Sequence, residues 1–174
     1  DVVYAGAGND WVDGGYGNDS LRGDDGDDTV EGGFGADTVV GGAGNDVLTG
    51  SAWSDLIFGN DGNDFINGGF GNDRVNGGAG ADRFYHLGVA GHGSDWVQDY
   101  SGADNDVLVF GNTAASRAQF QINWNTTVGA GDAAVQEAFV IYRPTGQIMW
   151  ALIDGAAQDH IWLQIGGNTY DLVA

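Results

Sequence analysis

The 174-residue chain has no cysteine, no lysine, one proline and one methionine. Without cysteine it has no disulfide framework and no thiolate for zinc or copper, which suits a chain that crosses a cell envelope unfolded. Five arginines face 25 acidic residues, a formal net charge of -20. That excess argues against nucleic acid, polyanionic polysaccharide and anionic membrane as partners. So much self-repulsion, with little apolar surface to oppose it, ordinarily leaves a chain disordered. No apolar run reaches transmembrane length, so membrane insertion is not expected. No secretory leader is seen, but the chain opens part-way through a repeat, so its first residues are silent on export.

Catalytic constellations are missing as well. His-Glu-x-x-His does not occur, and His86, His92 and His160 read as surface or core residues. Gly91-His92-Gly93-Ser94-Asp95 contains a serine without the Gly-x-Ser-x-Gly spacing of a nucleophile elbow. No lysine follows the glycine-rich runs, so they are not phosphate loops. No enzyme activity is expected from these residues, and a catalytic domain upstream stays open.

What the chain does have is one nonapeptide written nine times. From residue 5 to residue 85 the pattern is Gly-Gly-x-Gly-x-Asp-x-U-x, with U large and apolar, as in Gly32-Gly33-Phe34-Gly35-Ala36-Asp37-Thr38-Val39-Val40. The sixth position is always aspartate: Asp10, Asp19, Asp28, Asp37, Asp46, Asp55, Asp64, Asp73 and Asp82. The eighth is always apolar, from Val12 and Leu21 to Val75 and Phe84. An unbroken period of this kind signals a solenoid. The third position sets the coil length, because its residue types alternate between successive copies. Tyr16, Phe34 and Phe70 belong to one series, with Ala52 as its gap, while Ala7, Asp25, Ala43, Asp61 and Ala79 form the other. Two nonapeptides per coil are therefore expected, giving an all-β fold: a parallel β-roll with two short-stranded sheets and a capping β-strand region after it. The residues x-U-x make a minimal strand with the middle side chain inward, and only stacked neighbours stabilise one so short. The aromatic series is expected to pack along one edge rather than to bind a ligand.

Glycines at positions one, two and four are expected at φ > 0, turning their carbonyls inward. Each aspartate adds a hard anionic oxygen. An all-oxygen cage of carbonyls and carboxylates suits Ca²⁺, which takes roughly 6–8 such ligands in loose geometry. The pattern resembles the RTX, or hemolysin-type, calcium-binding repeat, and the region is similar to the C-terminal β-roll of serralysin-like and other type I secreted exoproteins.

That resemblance implies ions held between turns that are two nonapeptides apart. One turn contributes the carbonyls of positions two and four with its Asp; the next contributes those of positions one and three with its own. The first site implied takes Gly6, Gly8, Asp10, Gly23, Asp25 and Asp28. The column continues with Asp24, Gly26, Asp28, Gly41, Ala43 and Asp46, then with Gly42, Gly44, Asp46, Gly59, Asp61 and Asp64. Its last regular site takes Asn60, Gly62, Asp64, Gly77, Ala79 and Asp82. The other column has Gly15, Gly17, Asp19, Gly32, Phe34 and Asp37, followed by Gly33, Gly35, Asp37, Gly50, Ala52 and Asp55. Ser51 and Trp53 replace glycines, so the site joining Ser51, Trp53 and Asp55 to Gly68, Phe70 and Asp73 is expected to be distorted or empty.

Leu56 and Phe58 beside Thr38 and Val40 form an outward apolar patch, expected to pack under another segment. After Tyr85 the period stops. Residues 95–110 alternate apolar and polar residues around a turn and imply two strands. They resemble the Asp-x-Ile-x-Asp-Phe-x-x-Gly-x-Asp segment that caps such rolls, and Asp95, Asp99 and Asp104 are candidates to reach the last ions. Runs at 120–124, 138–142, 148–153 and 160–165 are strand-like, with a turn at Pro144-Thr145-Gly146-Gln147. Their aromatic residues are expected to form an ordinary core that the roll lacks. Asp171-Leu172-Val173-Ala174 resembles an uncleaved type I secretion end.

The expected division is a roll over 1–85, a capping segment over 86–112 and a C-terminal β region with the secretion signal over 113–174. The function implied is a non-catalytic calcium module that folds outside the cell. Its partners would be calcium ions and, during export, the type I secretion machinery. Alternatives are an S-layer or adhesin module that self-associates in calcium, or the C-terminal part of a secreted protease or lipase.

Overall fold

A computed structural model of the chain describes residues 1–127, 130–132 and 134–174. Ten strands cover the repeats: β1 (Val2–Ala7), β2 (Trp11–Asp13), β3 (Ser20–Asp25), β4 (Thr29–Phe34), β5 (Thr38–Ala43), β6 (Val47–Ala52), β7 (Leu56–Asp61), β8 (Phe65–Phe70), β9 (Arg74–Ala79) and β10 (Arg83–His86). Seven follow: β11 (Asp95–Val97), β12 (Val107–Phe110), β13 (Phe120–Asn125), β14 (Glu137–Tyr142), β15 (Gln147–Leu152), β16 (Trp162–Ile165) and β17 (Asn168–Asp171).

Odd and even strands of the roll lie in different sheets, and neighbours within each sheet are parallel. Thr29 pairs with Val47 and Val47 with Phe65, so each coil takes two nonapeptides. The strands are longer than x-U-x. Eight of the ten, all but β2 and β10, run six residues through the first three positions of the next copy, and the ladder skips the first-position glycine, as between Arg22↔Val40 and Asp24↔Gly42.

The eighth-position side chains are the inward ladder. Leu21, Val30, Val39, Leu48 and Ile57 have no exposed surface. Contrary to the expected lack of a core in the roll, this ladder forms one cluster with Phe110, Phe120, Trp150, Leu152 and Leu163.

Both sheets continue past the repeats. β11 sits between β9 and β15, and β12 between β10 and β16, all parallel. The antiparallel strands β14 and β13 then close one sheet, and β17 closes the other. The turn at Thr145-Gly146 forms as expected, with the Gly146 N–H donating to Tyr142 O at 2.9 Å. Outward on β7, Leu56 and Phe58 are half-buried. Among the described residues no helix is long and apolar enough to cross a membrane.

The inward ladder yields a direct expectation. Leu48→Ala leaves a cavity with apolar walls and costs about 2–5 kcal/mol. Thr49→Ala, on the outer face of the same strand, changes stability by less than about 0.5 kcal/mol. Urea midpoints of the two variants in calcium check the contrast.

Candidate metal centre

Each coil edge is built from a glycine turn followed by an aspartate. The sixth-position carboxylates stack along the two edges, and their two oxygens differ sharply. One oxygen accepts the backbone N–H of the aspartate one coil earlier: Asp28 from Asp10, Asp46 from Asp28 and Asp64 from Asp46, each at 2.8 Å. On the other edge Asp37 accepts from Asp19 at 2.8 Å and Asp73 from Asp55 at 2.9 Å. The second oxygen, Oδ2, is buried without a partner in Asp10, Asp19, Asp28, Asp37, Asp46, Asp55, Asp64, Asp73 and Asp82. A buried carboxylate oxygen left this way is costly unless a cation meets it.

Backbone carbonyls point into the same inter-coil spaces from both sides. Those at positions two and four face the following coil. A Cβ on Gly42 would strike the carbonyl of Asp24, and one on Gly44 that of Gly26. Those at positions one and three face back. A Cβ on Gly14 would strike the carbonyl of Gly32, while Phe34 O accepts the Gly17 N–H at 2.8 Å and Ala43 O accepts that of Gly26 at 2.8 Å. A carbonyl that accepts one such bond keeps a second lone pair. Among the described residues no group of three or more His, Cys, Asp or Glu side chains gathers as a metal cluster. The oxygens here come instead from carboxylates and backbone carbonyls together, a donor set that fits Ca²⁺ and not zinc.

The glycines need correction. Those at positions two and four do take positive φ, for example Gly33 at 100° and Gly35 at 140°. The first-position glycines do not. There a Cβ would come under 3.0 Å from the Oδ2 of the same copy's aspartate, at Gly14, Gly23, Gly32, Gly41, Gly50, Gly59, Gly68 and Gly77 alike. Position one is glycine to leave room for the carboxylate. Asp24, Ser51, Trp53 and Asn60 hold positive φ of 75°, 82°, 80° and 79° without being glycine. Despite that strain the backbone at Ser51 and Trp53 keeps the common course, their carbonyls facing Gly69 and Gly71.

Two features lie beyond the sequence expectations. Polar side chains at position five form a second ladder, running the opposite way. Asn9 accepts the N–H of Asp27 at 3.1 Å, Asp27 that of Asn45 at 2.8 Å, and Asn45 that of Asn63 at 3.0 Å. A signal for it exists, since Asn, Asp or Ser fills that position in seven of the nine copies, at Asn9, Asn18, Asp27, Asn45, Ser54, Asn63 and Asn72. The other is Asp106, which accepts the N–H of Asp82 at 2.9 Å and so continues that column. Its sequence Asp106-Val107-Leu108-Val109 repeats Asp-x-U-x. Of the three cap candidates, Asp95 lies against Asp73, and Asp99 accepts the N–H groups of Gly77 and Gly78 at 2.9 and 2.6 Å. Asp104 is exposed.

The aromatic series does pack on itself. Tyr16 and Phe34 stack at 5.0 Å, and Trp53 meets Phe34 edge-on at 6.3 Å, in the place that Ala52 leaves open.

The fold and donor set define a parallel β-roll with oxygen-lined gaps between its coils, the architecture of a calcium module. Residues 1–30, 31–52 and 49–84 match the family model for the RTX calcium-binding nonapeptide repeat (4 copies). Residues 1–84 therefore belong to the RTX calcium-binding repeat family, whose repeats bind several Ca²⁺ ions per region. No curated protein matches the chain.

Burial lifts the column carboxylates. Asp55 and Asp64 rise from 3.8 to about 7 and Asp82 to about 6; neighbouring carboxylates add to the effect and the backbone hydrogen bond opposes it. Since folding raises these values, the metal-free roll holds protons that the unfolded chain has released. Its stability is fully present below about pH 4 and is lost as the pH climbs through about 6–7. Chelated protein followed by circular dichroism should lose strand signal as pH rises through that window. Loss on acidification instead would contradict the assignment of these carboxylates as the controlling groups.

Proposed function

We propose that the chain is a non-catalytic calcium module that folds outside the cell and supports type I secretion of a larger exoprotein. The observation that carries this reading is the unpartnered Oδ2 recurring in every copy. The ligand sets proposed are those stated above, from Gly6, Gly8 and Asp10 with Gly23, Asp25 and Asp28 onward. Residues 1–85 serve as the roll, 86–112 as the cap and 113–174 as the terminal region.

Calcium supplies the positive charge in these gaps. Everything else comes from the chain's own residues, which hold the oxygens in place and exclude competing geometry. A ligand that binds only the folded form stabilises it by about 1.4 kcal/mol per site at ten times its Kd, and several sites add. Extracellular calcium modules have Kd of about 10⁻⁴–10⁻³ M. Cytosolic calcium lies well below that range, so the repeats stay unfolded and exportable inside and order on exit. The residues at the C-terminus support the same sequence of events. Leu172 is buried and Asp171 pairs with His160 at 2.7 Å, so an apparatus that reads this end reads it before folding. The gap between Ser51, Trp53 and Asp55 and Gly68, Phe70 and Asp73 is proposed to hold an ion in distorted geometry or to stay empty, because its non-glycine residues carry strain of roughly 1–2 kcal/mol each.

A second reading, calcium-dependent assembly of a surface or adhesive element, draws on the exposed aromatic edge, where Tyr16 is 85% and Trp53 63% exposed. Circular dichroism and sedimentation velocity separate the two. Strand signal that collapses in chelator and returns at about millimolar calcium, in a monomer, supports the first. Calcium-dependent oligomers favour the second, and strand content indifferent to chelation rejects both. Asp46→Asn, in mid-column, should raise the calcium midpoint several-fold.

A further inference from the structure

Of the five arginines, four have partners for their side chains. Arg22 pairs with Asp24, Arg83 donates to the Gln164 side chain, Arg117 to the carbonyls of Phe120 and Leu172, and Arg143 to Ala118 O. Among the described residues the Arg74 guanidinium makes no ion pair and no hydrogen bond, although the chain carries 25 acidic residues. It stands at a cavity instead.

The floor of that cavity is the outer face of the nine-stranded sheet, where the roll passes into the terminal region. Trp96 pairs with Arg74 on one side and with Ala151 on the other. Backbone bonds carry the ladder further: the Gln98 N–H donates to Val75 O at 2.9 Å, and that of Ile153 to Val97 O at 3.0 Å. Successive side chains of a strand leave on opposite faces. Val75, Val97 and Leu152 go inward and are buried, so Arg74, Trp96, Gln98 and Ile153 stand together outside. With Thr127 and Ala130 they line a cavity of about 310 Å³, at the lower end of the range for small-molecule pockets.

Neighbouring contacts fix the walls. Phe139 meets the Trp96 indole edge-on, at 6.2 Å and 89°. The Thr127 N–H donates to Glu137 Oε2 at 2.7 Å, and Glu137 has no exposed surface. Packing and a buried carboxyl group therefore shape the cavity before any ligand arrives.

The polar heads in it are mostly donors. Arg74 offers a planar fork of N–H groups, Trp96 an indole N–H and Gln98 an amide NH₂. Among the described residues none of these three heads has a hydrogen-bond partner. Such a set calls for an acceptor, and a guanidinium fork matches a carboxylate in both shape and charge. The indole and Ile153 add flat apolar surface for the body that carries it. One cation in a chain of net charge -20 answers one negative charge, so a dianion or polyanion would be left uncompensated.

We propose that this cavity binds a small monocarboxylate with a ring for a body, its carboxylate on Arg74 and its ring against Trp96 and Ile153. Aromatic acids and sugar acids share that chemistry. The site goes beyond the calcium reading and is independent of it, since among the described residues no carboxylate of the coil edges lines the cavity.

Two-dimensional NMR of the whole chain, folded in calcium, tests this through the Trp96 indole N–H and the Gln98 side-chain amide. Benzoate and glucuronate are the probes, with benzyl alcohol and glucose as uncharged counterparts and sulfate as a competing dianion. At least one acid should shift both signals saturably in the millimolar range, and the tighter of the two tells whether the body is aromatic or a sugar. The uncharged pair and sulfate should move neither signal. Arg74→Gln, with circular dichroism confirming the fold, should weaken binding at least about tenfold, and Gln98→Ala by a smaller factor. Absence of saturable shifts from both acids overturns the proposal. Equal binding of the uncharged counterparts or of sulfate overturns it too, as does an affinity unchanged in Arg74→Gln. Strand signal is followed separately, so a roll indifferent to calcium would sink the calcium reading and leave this site standing.

Discussion

Every coil of the roll depends on what happens at one carboxylate oxygen. From Asp28 to Asp82, Oδ1 of the sixth-position aspartate is tied to the coil before it, at 2.8–2.9 Å along both edges. That bond holds the side chain so that Oδ2 lies in the inter-coil gap, beside carbonyls already turned there by the glycines. The hydrogen bond that aligns the coils thus creates the unmet negative charge between them. A single inward aliphatic residue per nonapeptide offsets little of that cost: a fully buried side chain of this size contributes roughly 1.5–3 kcal/mol, while ordering each residue's backbone costs roughly 1–2 kcal/mol. Cations are therefore part of the stabilising structure rather than an addition to it.

The far end is stabilised by other means. Trp150 follows Asp95 in register, and the strand after Asp106 pairs with β16, whose preceding residue is the buried Ile161. Apolar side chains replace the aspartates, and the core widens into Phe110, Phe120, Tyr142 and Trp150. Tyr100 ties the two parts together, its hydroxyl donating to Asp106 O at 2.9 Å and accepting the Trp162 N–H at 2.7 Å. The sheets stay continuous while the source of stability changes from ion to hydrocarbon.

The roll is legible in the sequence because its period is local. The two-nonapeptide coil follows from the separation of Tyr16 and Phe34 from Asp25 and Ala43, and the inward ladder from the eighth position. Three things are hidden. The role of first-position glycines depends on where Asp46 or Asp64 folds back, which no backbone rule reveals. A degenerate copy at residues 90–98, whose Trp96 and Val97 pair with Arg74 and Val75, is masked by the four residues His86–Val89 before it, since an insertion destroys a period without disturbing the register of strands. The pairing of β11 with β15 joins residues far apart in the chain, as Asp95↔Trp150, and nothing in the intervening chain encodes that contact. Asp104 follows the Gly102 turn as the last aspartate of such a cap does, whereas the Asp-x-U-x run that marks the column points to Asp106, and the column follows the run.

The tryptophans are distributed in a way that makes the molecule its own reporter. Trp11 and Trp53 stand on the roll, 69% and 63% exposed, while Trp150 is wholly enclosed in the terminal core. Indoles in water and in hydrocarbon emit at different wavelengths. Trp124 in the terminal region is 40% exposed and adds to the red light of Trp11 and Trp53, so the blue component from Trp150 is the part of an unlabelled spectrum that reports one place, the closing of the apolar end.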